Sequence, residues 1–406
     1  MAEGQNVSAN EKIVVGCIGV GGMGSNNLRS FMGQPDVEIA AVCDVDADML
    51  GKAVVDVKNK YGRKPKAFTD FRHLLDMREI DAVVIATPDH WHALPFIMAC
   101  EAGKDIFSEK PMSHSIVEAR SMLGAARRFK PVVQINTIQR SGANFRDAID
   151  FIRAGGLGKV RVCRAWICGK GGVGKNPIKE PPANLDWDMW LGPSPKAPYH
   201  DRIHPYDWRN YLEWGTGDSG NWGAHHIDIV LLGMNEWHPL EVSSVGGNLF
   251  RDPDDDRNTP DMLITVYRFP SFVLQWETHN GREGLDGGGG GGCEFIGEKG
   301  KLIVERGKTR WSPYGDYPGP EKKYEPANHV RDFLDNVKSR GTCRSDIETT
   351  YCTTVCCCLS NLTYLYGKSV KWDGAKGEVI GDRKAMENMF YRREYRKPWK
   401  LPEYKV

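Results

Sequence analysis

Along the first third of the chain, short apolar runs rich in β-branched residues alternate with longer stretches whose apolar positions recur every three or four residues. The first pattern is that of strands buried on both faces, the second that of amphipathic helices. Residues 12–18, 37–43, 81–87, 105–108 and 132–136 read as strands, and 25–32, 47–61, 71–75, 89–100 and 115–128 as helices. Regular alternation of this kind predicts a parallel sheet covered by helices. Past a helix at 140–154 the rhythm changes. Runs at 160–168, 241–245, 262–269, 271–277, 293–296 and 301–305 alternate polar and apolar positions with hairpin-like spacing, which predicts a largely antiparallel sheet. Helices return at 327–338 and 347–366. The chain is therefore expected to be α/β, with a first domain at 1–137. The second, at 138–406, is an α+β domain on a large, mostly antiparallel open sheet, and 375–406 forms an Arg- and Tyr-rich arm. Three stretches read as loops: 169–183, the charged 251–257, and the six glycines at 287–292, a flexible flap or a turn with close backbone approach.

Composition narrows the function. The chain has 406 residues and a net charge of +1, with 40% hydrophobic and 26% charged content. That is an ordinary globular composition, with no electrostatic case for nucleic acid or an anionic membrane. No apolar run approaches the ~20 residues of a membrane span. Residues 1–11 are polar and lack a signal-peptide core, so a cytoplasmic protein is expected. Eleven cysteines, an odd number, do not suggest a disulfide framework. On a helix, Cys352 and Cys356 would share a face while Cys357 and Cys358 rotate away by roughly 100° each, so packing is expected of them rather than metal binding.

The sharpest local signal is the first strand emptying into Gly19-x-Gly21-x-x-Gly24, with Gly22 and Met23 inside the turn and a helix beyond. The first glycine makes the tight turn, the second lets backbone approach a pyrophosphate, and the third lets helix pack on strand. The helix start offers free N–H donors to the phosphates. The second strand ends at Asp44, twenty residues after Gly24, where a carboxylate accepts hydrogen bonds from the ribose hydroxyls. Together these define a Rossmann domain. Asp44 favours NAD over NADP, because two like charges about 4 Å apart repel by up to ~4 kcal/mol at an effective dielectric of ~20. Ligands of open parallel sheets lie beyond the carboxyl ends of the strands. Thr87 and Pro88, with His90 and His92 just beyond, and Glu109-Lys110-Pro111 all sit at such ends. Pro111 restricts Lys110 to extended geometry and so aims its ammonium.

In the second half, Asn221, His225 and Asp228 are spaced three and four apart, which on one helix would give them one face. Trp187, Trp190, Tyr199, Tyr206 and Trp208 form an aromatic belt suited to stacking on sugar C–H faces, or to a core. Gln139 and Arg140 follow the last parallel strand and are candidates to line the site, with Arg209 a weaker one. His225-His226-x-Asp228 lacks a zinc-protease spacing and Lys110 would repel a cation, so no metal is expected.

The glycine turn, the Cys43-Asp44 strand end, Ala86-Thr87-Pro88 with its downstream His, and Glu109-Lys110-Pro111 resemble the Gfo/Idh/MocA family of glucose-fructose oxidoreductase, inositol 2-dehydrogenase and related sugar dehydrogenases. The resemblance continues through Asp186-Trp187-Asp188-Met189-Trp190-Leu191-Gly192-Pro193 to Trp399-Lys400-Leu401-Pro402, and suggests a bacterial subgroup of mostly unassigned substrates. It matches the family's Asp-x-Gly-x-His-x-x-Asp helix, in which the first Asp and the His face the substrate beside the nicotinamide. Here Asn221 stands at the first Asp position and His225 at the His. The resemblance implies Lys110 and His225 as the catalytic pair, either of them able to serve as base, with Asn221 and Asp228 positioning neighbouring groups. It implies an NAD-dependent dehydrogenase for a sugar, polyol or glycoside, and a homodimer or homotetramer built through the second sheet. Two other functions remain open: a glycosidase working by transient ring oxidation, elimination and re-reduction, and a non-catalytic sugar- or NAD-sensing regulator.

Overall fold

The computed structural model describes residues 12–168, 172–279 and 290–406. The polar segment 1–11, residues 169–171 of one predicted loop and 287–289 of the glycine run lie outside the described residues.

Six strands, β1 (Ile13–Ile18), β2 (Val37–Cys43), β3 (Lys66–Phe68), β4 (Ala82–Ile85), β5 (Asp105–Ser108) and β6 (Val133–Ile135), form an all-parallel sheet in the order β3-β2-β1-β4-β5-β6. Helices α1 (Gly22–Met32), α2 (Ala47–Tyr61), α3 (Phe71–Leu75), α4 (Ala93–Glu101) and α5 (Ile116–Phe129) connect them. β4 and β5 are buried along their whole length, as interior strands of a parallel sheet covered on both faces are. The helices start where the sequence supplies caps. Asp46 accepts from the amides of Asp48 and Met49 at the head of α2, and Ser115 with Glu118 closes a capping box on α5.

The second sheet has nine strands in the order β13-β12-β11-β7-β10-β9-β8-β14-β15. After α6 (Ala143–Arg153) come β7 (Val160–Cys168), α7 (Trp187–Leu191), α8 (Gly217–Asn221), α9 (Gly223–Met234), β8 (Glu241–Gly247), β9 (Met262–Arg268), β10 (Val273–His279), β11 (Gly291–Gly297), β12 (Gly300–Glu305) and β13 (Lys308–Pro313). The helices α10 (His329–Ser339) and α11 (Ile347–Tyr366) follow, then β14 (Val370–Asp373) and β15 (Glu378–Val379). Every pairing is antiparallel except β7 with β10. Helices α9 and α11 are buried on almost every face; α9 packs on β7 and β11 of the second sheet, and α11 packs on β8 of that sheet and β6 of the first. Cys356, Cys357 and Cys358 are at most 1% exposed there, small side chains whose thiols burial pushes up in pKa.

Two late segments fold back onto the first sheet. On α10, Phe333 meets the rings of Phe31 and Phe107 edge-on at 6.1 and 5.7 Å. The segment after β15 lies across α4 and α5. There Trp399 packs edge-on against Trp91 at 4.8 Å, and the amides of Ile116 and Val117 donate to the carbonyls of Phe390 and Tyr391.

Candidate active site

The carboxyl ends of β1, β2, β4 and β5 open into a cleft whose walls include Gly19, Gly21, Gly22, Met23, Asp44, Thr87, Pro88, Glu109 and Lys110. Gly19 has φ +78°, and a Cβ on Gly24 would stand 2.0 Å from the Gly19 carbonyl oxygen. Only glycines let the strand turn and the helix close on each other here. The head of α1 carries no side-chain cap and no acidic residue in its first turn, so its leading N–H groups remain available to an anion. Across from it, Asp44 accepts from the amides of Val20 at 2.8 Å and Asp46 at 3.0 Å. Each carboxylate oxygen keeps acceptor capacity toward the cleft. Burial raises the pKa of Asp44, against the opposing pull of those amides and of His204. An uncapped helix head, a glycine turn without room for side chains and an acceptor at the end of β2 fit a dinucleotide.

At the other end of the cleft, the Lys110 Nζ donates to the Asn221 side-chain oxygen at 2.8 Å and to its backbone carbonyl at 3.0 Å. Its neighbour Glu109 is held by the side-chain amides of Asn27 at 2.9 Å and Asn136 at 2.6 Å. Burial lowers the Lys110 pKa; Glu109 and Asp89 oppose this, while Arg209 and Arg306 add to it. The peptide between Lys110 and Pro111 is cis.

Asn221, Tyr206 and Arg209 also line a second cavity of about 950 Å³. Its walls come from the segment after α7, the ends of β7 and β11, and the β12–β13 turn. The two spaces therefore meet at the Lys110–Asn221 contact.

The single helix expected around Asn221 is two helices, α8 and α9, broken at Trp222. Asn221 ends the first and His225 lies in the first turn of the second. His225 is 6% exposed and is not part of either cavity wall. Its ring makes no hydrogen bond among the described residues, and its Nδ1 is buried without a partner. Burial first, then the charge of Lys110, pushes its pKa well below the ordinary imidazole value. It is a neutral imidazole within electrostatic reach of the lysine.

Several candidates lie outside both cavity walls. Arg140 and Asp228, expected to touch substrate, form a two-pronged ion pair at 2.7 and 2.6 Å with side chains 3% and 0% exposed. Thr353 adds a 2.8 Å bond to the carboxylate, and Arg140 also donates to the Arg344 carbonyl. Their polar atoms are thus turned to each other and away from the cavities. Gln139 is buried, its side-chain amide has no partner among the described residues, and it lies outside both cavity walls. His90 faces the Trp190 carbonyl at 3.0 Å, and both ring nitrogens of His92 face carbonyls, of Pro111 at 2.6 Å and Thr87 at 2.8 Å. These histidines brace the cleft from behind. Tyr199 packs edge-on against Trp187, which stacks on Trp190 at 4.7 Å. This part of the belt is a small core of its own, and Trp190, Tyr206 and Trp208 are the belt residues that reach the cleft.

Some residues of the cleft carried no readable signal. Asp89 accepts from the amide and hydroxyl of Thr216 at 3.1 and 2.7 Å, tying the end of β4 to α8. His204 donates to Asp46 at 2.8 Å, and Asn184 to Asp46 and Asp48 at 3.1 Å, so the segment around α7 closes over the Asp44 end. Spacing could not reveal these contacts, each of which joins residues more than a hundred positions apart.

Comparison with known proteins agrees with the two sheets. Residues 13–137 match the Gfo/Idh/MocA oxidoreductase family, NAD-binding Rossmann fold, and residues 161–252 match that family's C-terminal alpha/beta domain. Over 158 residues the chain is 31% identical to glycosyl hydrolase family 109 protein 1 of Shewanella sp. (strain MR-4). That match covers 37% of this chain and 34% of the relative, so about a third of the curated relative's length is spanned. Levoglucosan dehydrogenase, solved with NADH and levoglucosan, has the same fold at a TM-score of 0.66 and 19% identity, over 89% of this chain and 99% of that one. The WlbA dehydrogenase from Bordetella pertussis, solved with NADH and UDP-GlcNAcA, superposes at a TM-score of 0.67 and 16% identity, over 89% and 99% of the two chains.

Proposed function

The chain belongs to the NAD-binding Gfo/Idh/MocA oxidoreductase family, and from that premise we propose that it is an NAD-dependent dehydrogenase acting on a secondary alcohol of a sugar, polyol or glycoside. The observation that carries this reading is the Lys110 amine, held by Asn221 where the dinucleotide cleft meets the roomier second cavity. NAD, when bound, supplies the hydride acceptor. The head of α1 and Asp44 bind and orient it. Lys110 donates a hydrogen bond to the substrate oxygen and stabilises alkoxide character as the C–H bond weakens. With its pKa lowered by burial, it also exchanges a proton more readily than a solvated lysine. His225, neutral and with no ring hydrogen bond among the described residues, is assigned the second proton-carrying role; because it lies outside both cavity walls, it is reached through water and not by direct contact. Asn221 cannot ionise, so its part is to hold the amine in place. Trp208 and Tyr206 form an apolar flank for the sugar ring.

The similarity to a glycosyl hydrolase family 109 protein supports a second reading with the same site. Transient oxidation of a ring carbon would acidify the neighbouring C–H and permit elimination of a glycosidic group; water would then add to the resulting double bond, and re-reduction would end the cycle. A panel of monosaccharides, polyols and glycosides with NAD separates the two. Net NADH formation supports the dehydrogenase, whereas release of the aglycone without net NADH supports the glycosidase. Neither, across the panel, would refute both.

A further inference from the structure

Among the described residues, the wall of the second cavity carries more basic than acidic side chains. Three of its cations are paired: Arg202 with Asp207 at 2.8 Å, Arg257 with Asp218 at 3.4 Å, and Arg310 with Glu305 at 3.2 Å. Those are all of the acidic residues among the described residues of its wall. Arg209, Arg306 and Lys308 face the same space and have no carboxylate partner among the described residues.

Two of these guanidiniums are steered by aromatic rings. Arg209 lies 4.1 Å from the Trp208 ring centroid and 4.4 Å from that of Tyr206, and donates to the Tyr206 carbonyl at 2.9 Å. Arg306, in the turn between β12 and β13, lies 5.0 Å from the Trp222 ring. Stacking on a ring orients a guanidinium and leaves its N–H groups free, but it does not replace a counter-ion. Burial lowers the Arg306 pKa, and the cause is desolvation alone. A partly desolvated cation without a partner costs stability, which an anionic ligand would offset. Both arginines also act electrostatically on Lys110, so this charge stands within reach of the reacting end of the cleft.

We propose that the sugar taken by this site carries an anionic group, a carboxylate or a phosphate, seated by Arg209 and Arg306 in the second cavity. The inference deepens the dehydrogenase reading and rests on it for the sugar, while the anion seat itself rests on the ring-oriented guanidiniums and on the charge balance of the described wall. Planar two-pronged contacts from Arg suit both anions. Lys308 adds attraction at longer range.

The test is calorimetric titration of the NADH-loaded protein with glucose, glucuronate and glucose 6-phosphate, at low and high salt. At least one acidic sugar should bind ~10-fold or more tightly than glucose, the size of one charge-assisted hydrogen bond, and lose that advantage as salt rises. Comparing glucuronate with the phosphate tells which anion fits. R209Q and R306Q should each cut the preference, and the double variant, folded by circular dichroism, should abolish it. Equal binding of neutral and acidic sugars, binding of none of them, or a preference that survives in the double variant would overturn the proposal. Preferential binding of an acidic sugar with no NADH formed from any sugar and NAD would instead leave the anion seat standing and count against the dehydrogenase.

Discussion

Asp228→Asn separates the two roles open to this residue, substrate contact and scaffold. The side chain is fully buried and accepts from Arg140 at 2.6 and 2.7 Å and from Thr353 at 2.8 Å. Burial by itself disfavours the Arg140 cation; Asp228 first, with Asp346 beside it, opposes that and the arginine's pKa ends raised. Asparagine keeps the shape but removes the charge, so Arg140 is left as a cation in a dry interior. Breaking a buried pair in this way costs ~3–5 kcal/mol, a large part of the ~5–15 kcal/mol that ordinarily holds a domain folded. Asp346, 3.8 Å from Arg140, provides partial compensation and places the expected loss at the low end, ~3 kcal/mol. Urea unfolding followed by circular dichroism reads this directly, and NADH fluorescence shows whether the cofactor cleft survives. The paired variant Arg140→Met with Asp228→Leu should recover most of the loss, because no charge is then stranded. A variant that unfolds at the wild-type urea concentration but loses substrate affinity would refute the scaffold assignment.

Other outcomes follow from the same geometry. Asp44→Asn should raise affinity for NADP relative to NAD at least ~10-fold, since the repulsion removed is worth up to ~4 kcal/mol; an unchanged ratio in fluorescence titrations would contradict the placement of the ribose. Stability should fall as pH drops below about 6.5, where an unfolded histidine begins to take up a proton. Burial lowers the pKa of His90, His226 and His329 to about 3, and those of His114 and His225 well below the ordinary value. The folded state therefore refuses protons that the unfolded state accepts, and each such histidine loses ~1.4 kcal/mol per pH unit below that point. Urea midpoints that are flat between pH 7 and pH 5 would argue against these burials. Because His225 stays neutral, turnover should show no titration at the ordinary histidine pKa, and a pH–rate profile with a break there would assign that group elsewhere.

The parts of the fold set by local pattern were legible. The strand, glycine turn and helix from Ile13 to Met32 and the acid at Asp44 follow from residue types whose conformational roles are intrinsic, and the structure places them together. β3 escaped because it has only three residues, two of them exposed, leaving no periodicity to read. β13 is polar and half exposed, so its alternation is equally weak. Asn221, His225 and Asp228 were assigned one face on the assumption of a continuous helix. Trp222 interrupts it, with φ −112° and ψ −36° between α8 and α9. The face of α9 that carries Asp228 is then chosen by Arg140, 88 positions away. Such pairings are decided by tertiary packing and leave no trace in spacing. The same holds for the cations of the second cavity, which come from the segment after α7, the 251–257 loop, the β12–β13 turn and β13 itself; of these only Arg209 was singled out by the sequence.

In the proposed reaction Lys110 and His225 move the proton while a sugar alcohol is oxidised. Single-turnover NADH formation, with NAD and the best sugar of the panel, should be at least ~100-fold slower in Lys110→Met and in His225→Ala than in the wild type. NAD affinity should remain within about a factor of two, because neither side chain belongs to the phosphate or ribose contacts. Variants that form NADH at the wild-type rate would contradict the account.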